Sequence, residues 1–153
     1  MNFIYDIFQN QCLLSVMISW LLAQIIKVFT GYFREEQFSL GKFFSGTGGM
    51  PSSHSATVVA LLVSSVMVYG FGGYEAALSV LFATIVMSDA VGVRYETGKQ
   101  AKVINKMIEE LFSGKAKNPQ ENLKELIGHT PFQVFVGALL GLVVALTVCS
   151  LIR

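Results

Sequence analysis

The sequence predicts an all-α integral membrane bundle with about four transmembrane helices and one cytoplasmic amphipathic helix. Of its 153 residues, 53% are hydrophobic and 14% are charged, whereas an average soluble domain is about 25% charged. The apolar residues gather in four runs that are too continuous for the strands of a membrane barrel. This composition excludes a disordered chain, a nucleic-acid-binding tail and an ordinary soluble enzyme. We expect a single membrane-embedded domain over residues 1–153.

The four apolar runs are the predicted spans. Residues 7–26 contain no charge and match the roughly 20 residues that cross a bilayer. Residues 56–71 and 76–93 form the second and third spans, with a glycine-rich turn between them. Residues 130–152, again uncharged, form the fourth span. Together they predict an up-and-down bundle in which alternate connections lie on the same side of the membrane.

The chain after the third span has the spacing of an amphipathic helix. Its apolar residues recur every three or four positions: Val103, Ile104, Met107, Ile108, Leu111 and Phe112. Lys102, Lys106, Glu109 and Glu110 lie among the remaining positions. We expect this helix to lie on the membrane surface or against the bundle.

The basic residues indicate the orientation in the cell membrane. Ten of the 11 lie in the first and third connections or at the span ends that adjoin them, and only Arg153 lies on the other side. The positive-inside rule therefore predicts two cytoplasmic connections and both termini outside. A buried or re-entrant segment within residues 38–50 would break this assignment.

The stretch GGMPSSHSA at residues 48–56 is the most informative part of the sequence. Free N–H groups at a helix N-terminus favour an anion, and Ser52 and Ser53 add hydroxyl groups. His54 can donate a proton near neutral pH. The combination predicts a phosphate site. The structural alternative is an N-cap serine followed by a histidine at the bilayer interface.

The other histidine and several charges fall at the same predicted membrane face. His129 stands at the start of the fourth span, so the two histidines can act as nucleophile and general acid. Asp89 lies inside an apolar span, where ionisable residues mark function or a buried pair. Four cations accompany them: Lys27, Arg34, Arg94 and Lys99. Snorkelling side chains and the positive-inside bias are the alternative, which suits Lys99 best.

These residues resemble the type 2 phosphatidic acid phosphatase and vanadium haloperoxidase superfamily. The PSSH of residues 51–54 looks like its Pro-Ser-Gly-His motif, and Lys27 with Arg34 has the spacing of its first motif. His129 followed by Gln133 looks like the end of its third motif. The closest resemblance is to the divergent, acid-phosphatase-related branch, through three blocks that together span nearly the whole chain: residues 48–56, 89–101 and 123–141.

The resemblance implies a metal-independent lipid phosphatase without a cofactor. His129 would attack phosphorus and form a phosphohistidine, His54 would protonate the leaving oxygen, and Asp89 or Gln133 would orient a histidine. The phosphoryl oxygens would be held by Lys27, Arg34, Ser52, Ser53, Arg94 and Lys99. The substrate expected is a lipid phosphate of the cytoplasmic leaflet, such as phosphatidate or phosphatidylglycerophosphate. Anionic membrane lipids should also attract residues 99–117.

The chain departs from the superfamily pattern at three positions. Glu35 replaces the usual proline, Leu123 replaces an arginine, and Gln133 replaces the aspartate that partners the nucleophile. Arg94 is the natural replacement for the missing arginine. The superfamily core has six helices, so a homodimer through the Gly-x-x-x-Gly face of Gly137 and Gly141 would complete it; packing of both glycines within one chain is the alternative.

Three other functions remain open at this point. A lipid-phosphate binder or transporter would keep the cationic pocket without a covalent intermediate. A small scaffold subunit would need neither histidine. A metal-dependent enzyme using Asp89 and Glu96 is disfavoured, because two carboxylates provide few ligands for Mg²⁺.

Overall fold

A computed structural model describes residues 7–32, 49–111, 123 and 128–152. Five long helices occur in these ranges, and no strand does. In chain order they are α1 (Gln11–Tyr32), α2 (Ser53–Tyr69), α3 (Tyr74–Val91), α4 (Val93–Leu111) and α5 (Pro131–Leu151). The predicted all-α membrane bundle with an amphipathic helix, here α4, is confirmed.

Three helical stretches in the described part of the chain are long and apolar enough to cross a membrane. They are Gln11–Thr30, Tyr74–Leu111, whose apolar half is α3, and Pro131–Leu151. The second predicted span corresponds to α2, which has 17 residues. At about 1.5 Å per residue α2 is about 26 Å long, near the lower limit for a bilayer core of about 30 Å.

The first helix continues beyond its predicted end. The apolar run stops at Ile26, which predicts that Lys27 terminates the helix. Instead α1 continues to Tyr32. At its other end α1 starts at an N-cap, where the Asn10 side chain accepts a hydrogen bond from the Leu13 N–H at 3.0 Å. The prediction was wrong here, because a lysine can bury its aliphatic stem and bond its ammonium group without ending a helix. Lys27 is therefore held by helical backbone on both sides.

Helix α2 lies at the centre of the bundle, where it packs against α1, α3 and α5. Its contact with α5 is a close backbone approach. A Cβ atom added to Gly137 would lie 2.3 Å from the Ser52 carbonyl oxygen, and one added to Gly141 would lie 2.2 Å from that of Ala56. The Gly-x-x-x-Gly face is thus occupied by α2 of the same chain, and it is not available to a second subunit.

The two ends of the bundle have different roles. At one end the α2–α3 turn, in which Gly70 adopts a φ of 79°, lies with the start of α1 and the end of α5, and Gln11 Nε2 donates to the Ile152 carbonyl at 3.0 Å. Because the spanning helices alternate in direction, the starts of α2 and α5 and the ends of α1 and α3 meet at the opposite end. This second end, which we call the site end, holds both histidines.

Candidate functional site

The segment that enters α2 lies against Lys27 of α1. The Lys27 ammonium donates a hydrogen bond to Ser53 Oγ at 3.0 Å. Gly49 adopts a φ of +78°, and a Cβ atom there would lie 3.9 Å from Lys27 Cγ. One turn further along α1, Thr30 Oγ1 donates to the Met50 carbonyl at 2.9 Å. Two α1 side chains therefore fix the loop that precedes α2.

The two predicted serines have different roles. Ser52 is fully buried and is the N-cap of α2, since its Oγ accepts from the Ser55 N–H at 3.3 Å and from the Ser55 hydroxyl at 2.9 Å. Its own N–H donates to the Gln133 carbonyl at 3.1 Å. The structural alternative thus describes Ser52, whereas Ser53 presents its hydroxyl to a cation.

His129 is held tightly at the start of α5. Its N–H donates to the Ala90 carbonyl at 3.2 Å, and a Cβ atom on the adjacent Gly128 would lie 2.4 Å from Tyr95 Cα. The side chain is 5% exposed, and its Nδ1 has no hydrogen-bond partner among the described residues. Buried polar atoms are normally satisfied, so this nitrogen has an unused hydrogen-bonding position.

The surroundings of His129 keep its imidazole neutral. Burial is the main cause that lowers its pKa, from 6.5 to about 4. The charges of Lys27, His54 and Arg94 act in the same direction, while the neighbouring Gln133 amide opposes them. A neutral imidazole at pH 7 keeps a lone pair for attack on an electrophile.

His54 shares its charged neighbours with His129. It stands in the first turn of α2, and its side chain is exposed. It interacts electrostatically with Arg94, Lys27 and Asp89. The structure therefore groups the two histidines with two cations and one carboxylate at the site end.

The two residues expected to orient a histidine have other partners. Asp89 Oδ2 accepts from Arg94 Nε at 2.5 Å, and both side chains are partly exposed. Gln133 Oε1 accepts from the Thr130 N–H at 3.0 Å, while Thr130 Oγ1 accepts from the Gln133 N–H at 3.3 Å. This reciprocal pair is a capping box. Asp89 therefore acts directly on Arg94 and by its charge on His54. Gln133 helps to begin α5, and its side chain also hydrogen-bonds to His129.

One predicted phosphate ligand, Lys99, does not join this group. Lys99 donates to Glu96 Oε1 at 2.7 Å and lies 4.6 Å from the centre of the Tyr95 ring. The bond to Glu96 raises the Lys99 pKa, and Lys99 is not among the described charges that act on either histidine. Arg34 lies outside the described residues.

No group of three histidine, cysteine, aspartate or glutamate side chains that could hold a metal ion occurs in the described part of the chain. The two carboxylates of the metal alternative, Asp89 and Glu96, are each paired with a cation instead.

Sequence reasoning missed the groups that position the site. Thr30 was not singled out, although it lies three residues after Lys27 on the same helix face. The Ala90 carbonyl and Gly128 carry no chemical signal of their own. Only the position of Gly128 beside a histidine hinted that the backbone passes close to another segment there.

Comparison with known proteins gives two matches. Residues 8–144 match the sequence profile described as the Divergent PAP2 family. The uncharacterised membrane protein YuiD of Bacillus subtilis (strain 168) is 40% identical, over 92% of this chain and 95% of its own length. No solved structure matches the chain.

Proposed function

The chain belongs to the Divergent PAP2 family, and from that premise we propose that it is a metal-independent membrane phosphatase acting on a lipid phosphomonoester or pyrophosphate. The observation that carries the proposal is His129: a nearly buried imidazole with an unpartnered Nδ1 and a pKa of about 4. A buried histidine kept neutral beside two cations suits nucleophilic attack on an anionic group.

The first step forms a phosphohistidine. A nitrogen of His129 attacks phosphorus, the bond from phosphorus to the leaving oxygen breaks, and His54 gives that oxygen a proton. Lys27, Arg94 and the Ser53 hydroxyl hold the other phosphoryl oxygens as charge shifts toward the leaving group. Asp89 contributes by fixing the Arg94 guanidinium.

The second step releases phosphate. His54, now neutral, takes a proton from water, and the resulting hydroxide attacks phosphorus. The bond between phosphorus and His129 breaks, which returns both histidines to their starting states. No redox agent and no reactant other than water is needed.

The test is phosphate release by the purified protein in vesicles containing phosphatidate, phosphatidylglycerophosphate or a polyprenyl pyrophosphate, with and without chelator. We expect release that survives the chelator and disappears in both His54→Ala and His129→Ala. Lys102→Ala, at an exposed position of α4, should release phosphate at the wild-type rate. Full activity in either histidine variant overturns the mechanism.

A second candidate, a lipid-phosphate binder without turnover, is favoured by one observation. Among the described contacts no carboxylate accepts a hydrogen bond from either histidine, because Asp89 is bonded to Arg94. A nucleophilic histidine gains from such a carboxylate when its ring becomes positive. Tight binding of a lipid phosphate with no release, in the same vesicles, would favour the binder.

A further inference from the structure

Helix α4 has one apolar side that the described chain does not cover. Val93, Met107 and Leu111 are 69%, 58% and 79% exposed. They lie on one side of the helix with Val103, Ile104 and Ile108, which are also exposed. Gly98 and Ala101 are buried and mark the side on which α4 packs, and α3 is the described helix that it contacts most.

The helix that precedes α4 in the chain also has exposed apolar side chains. Helix α3 ends at Val91 and α4 begins at Val93, so α4 starts where the chain leaves the membrane. Along α3 the residues Leu81, Phe82 and Ile85 are at least half exposed, as expected for side chains that face lipid. A helix that follows such a span and has an apolar side, with charges on its other side, fits the lipid–water interface.

Apolar contact contributes more than charge to the affinity of α4 for a bilayer surface. Two of the α4 lysines are paired with glutamates of the same helix, Lys99 with Glu96 at 2.7 Å and Lys106 with Glu110 at 3.9 Å. Pairing weakens attraction to anionic head groups. The partner that fits this side is therefore the bilayer surface itself, of any head-group charge.

Helix α4 also contacts two described residues that precede His129 in the chain, Leu123 and Gly128. The Asn105 side chain makes two hydrogen bonds to the Leu123 backbone: Nδ2 donates to the carbonyl at 2.8 Å, and Oδ1 accepts from the N–H at 3.0 Å. Nearer the start of α4, Gly128 packs directly on the Tyr95 backbone. The attachment points on α4 are ten residues apart, about 15 Å along the helix axis.

We propose that α4 lies in the lipid–water interface with its apolar side in the bilayer, and that this contact sets the position of His129 through Asn105 and Gly128. The proposal rests on the proposed function and extends it, because contact with the bilayer surface would help to hold the nucleophile His129 in position. In this proposal Asn105 is a positioning residue, because it holds Leu123, which lies six residues before His129 in the chain.

The first experiment measures lipid contact. Met107→Trp and Lys102→Trp are each made in a Trp20→Phe background and reconstituted in phosphatidylcholine vesicles that contain phospholipid brominated near the head group. We expect quenching at position 107 to exceed that at position 102 by about threefold. Equal quenching at both positions overturns the proposal. Protection of position 107 from both brominated lipid and aqueous acrylamide also overturns it, because another segment would then cover this side.

The second experiment measures the position of His129 without turnover. The pKa of each of the two histidines is followed by NMR on ¹³C-histidine protein in nanodiscs, with His129 assigned from a His129→Gln variant. Asn105→Ala and Met107→Asp should each raise the His129 pKa from about 4 toward 6.5, because the ring becomes less buried. Thr97→Ala, exposed on the same helix, should leave it unchanged.

An unchanged His129 pKa in both variants, with wild-type helicity, overturns the coupling. If Asn105→Ala fails to fold, Asn105→Asp keeps the acceptor for the Leu123 N–H and should give a smaller shift; no shift in that variant counts against the coupling. Neither experiment uses phosphate release. A protein that releases no phosphate but shows both effects would refute the phosphatase and retain this inference.

Discussion

The Lys27 ammonium of α1 donates a hydrogen bond to the hydroxyl of Ser53 in the first turn of α2, across 3.0 Å. The N-terminal end of a helix carries partial positive charge of its own. The bond therefore concentrates positive charge at one point of the site end, where a phosphate group would be stabilised.

Replacing Lys27 should lower phosphate release without lowering the stability of the fold. Lys27→Met keeps the length of the side chain and removes the charge. We expect phosphate release to fall about 100-fold, because one positioned donor to a transition-state oxygen contributes a factor of this order. The melting temperature should stay level or rise, because burying part of an ammonium group costs free energy. Both are measured on vesicle-reconstituted protein, with Lys102→Met as the control; unaltered turnover in Lys27→Met would remove Lys27 from the site.

His129 should make the fold sensitive to acid. Its pKa is about 4 in the folded protein and 6.5 when unperturbed, so the unfolded chain binds the proton more tightly. The stability that the neutral ring contributes is complete above pH 6.5 and is lost as the pH falls toward 4. The charges of Lys27, His54 and Arg94 also oppose protonation of the His129 ring.

The measurement is the melting temperature between pH 7.5 and pH 4.5. The wild type should lose more stability over this interval than His129→Gln, and the same comparison with His54→Gln removes the contribution of the other histidine. Parallel pH curves for wild type and His129→Gln would contradict the lowered pKa.

The α2–α5 contact should not tolerate a methyl group. Gly141→Ala would place a Cβ atom 2.2 Å from the Ala56 carbonyl oxygen and 3.0 Å from the Ala60 nitrogen, so the helices would have to separate. Overpacking of this kind costs about 1–3 kcal/mol of unfolding free energy. Gly72→Ala, where nothing lies within 4 Å of the added Cβ atom, is the matched control. Equal stability of the two variants would show that the helices are not in close contact.

The Asp89–Arg94 pair should matter for turnover more than for stability. Both partners are partly exposed, so Asp89→Asn should change the unfolding free energy by less than about 1 kcal/mol. Phosphate release should fall about tenfold, because Arg94 loses the group that fixes it. In an Arg94→Lys background Asp89→Asn should have a smaller effect. Full additivity of the two changes would mean that Asp89 acts independently of Arg94.

The orientation predicted from the distribution of basic residues can be tested directly. Cysteines introduced at Ser113 and Ser150, in a background without Cys12 and Cys149, are labelled from each side of intact cells. Ser113→Cys should react only from the cytoplasm and Ser150→Cys only from outside. The opposite result would place the site at the outer face, and the expected substrate would then be a lipid of the outer leaflet.

The sequence predicts the helices well, because burial in lipid requires apolar composition, which can be counted. It also places His54 and His129 at one membrane face, since alternating spans return the chain to the same side. It fails where a side chain has a choice of partners. Thr130 and Gln133 carry the spacing of a capping box, yet the same glutamine also fits a histidine partner. In the structure this glutamine takes both roles, since it caps α5 and its side chain also hydrogen-bonds to His129.

The end of α1 shows a second limit of sequence reasoning. A charge at position 27 marks the end of an apolar run, but the hydrogen-bond partner that allows the helix to continue, Ser53, comes from a distant part of the chain. Likewise Asn105 shows no pattern in the sequence, because its partner is the backbone of Leu123 rather than a recognisable side chain.

The 17 residues of α2 leave the central helix about 4 Å short of a bilayer core of average thickness. Such hydrophobic mismatch is relieved when the surrounding lipid thins or when water and head groups dip toward the short helix. Since α2 begins at Ser53, a dip of the membrane surface at that end would bring lipid phosphate groups closer to the two histidines. A longer helix would keep these phosphate groups further away. The protein should then favour thin membranes. Lengthening the acyl chains of its host bilayer should lower its affinity for lipid phosphate while leaving its helices intact.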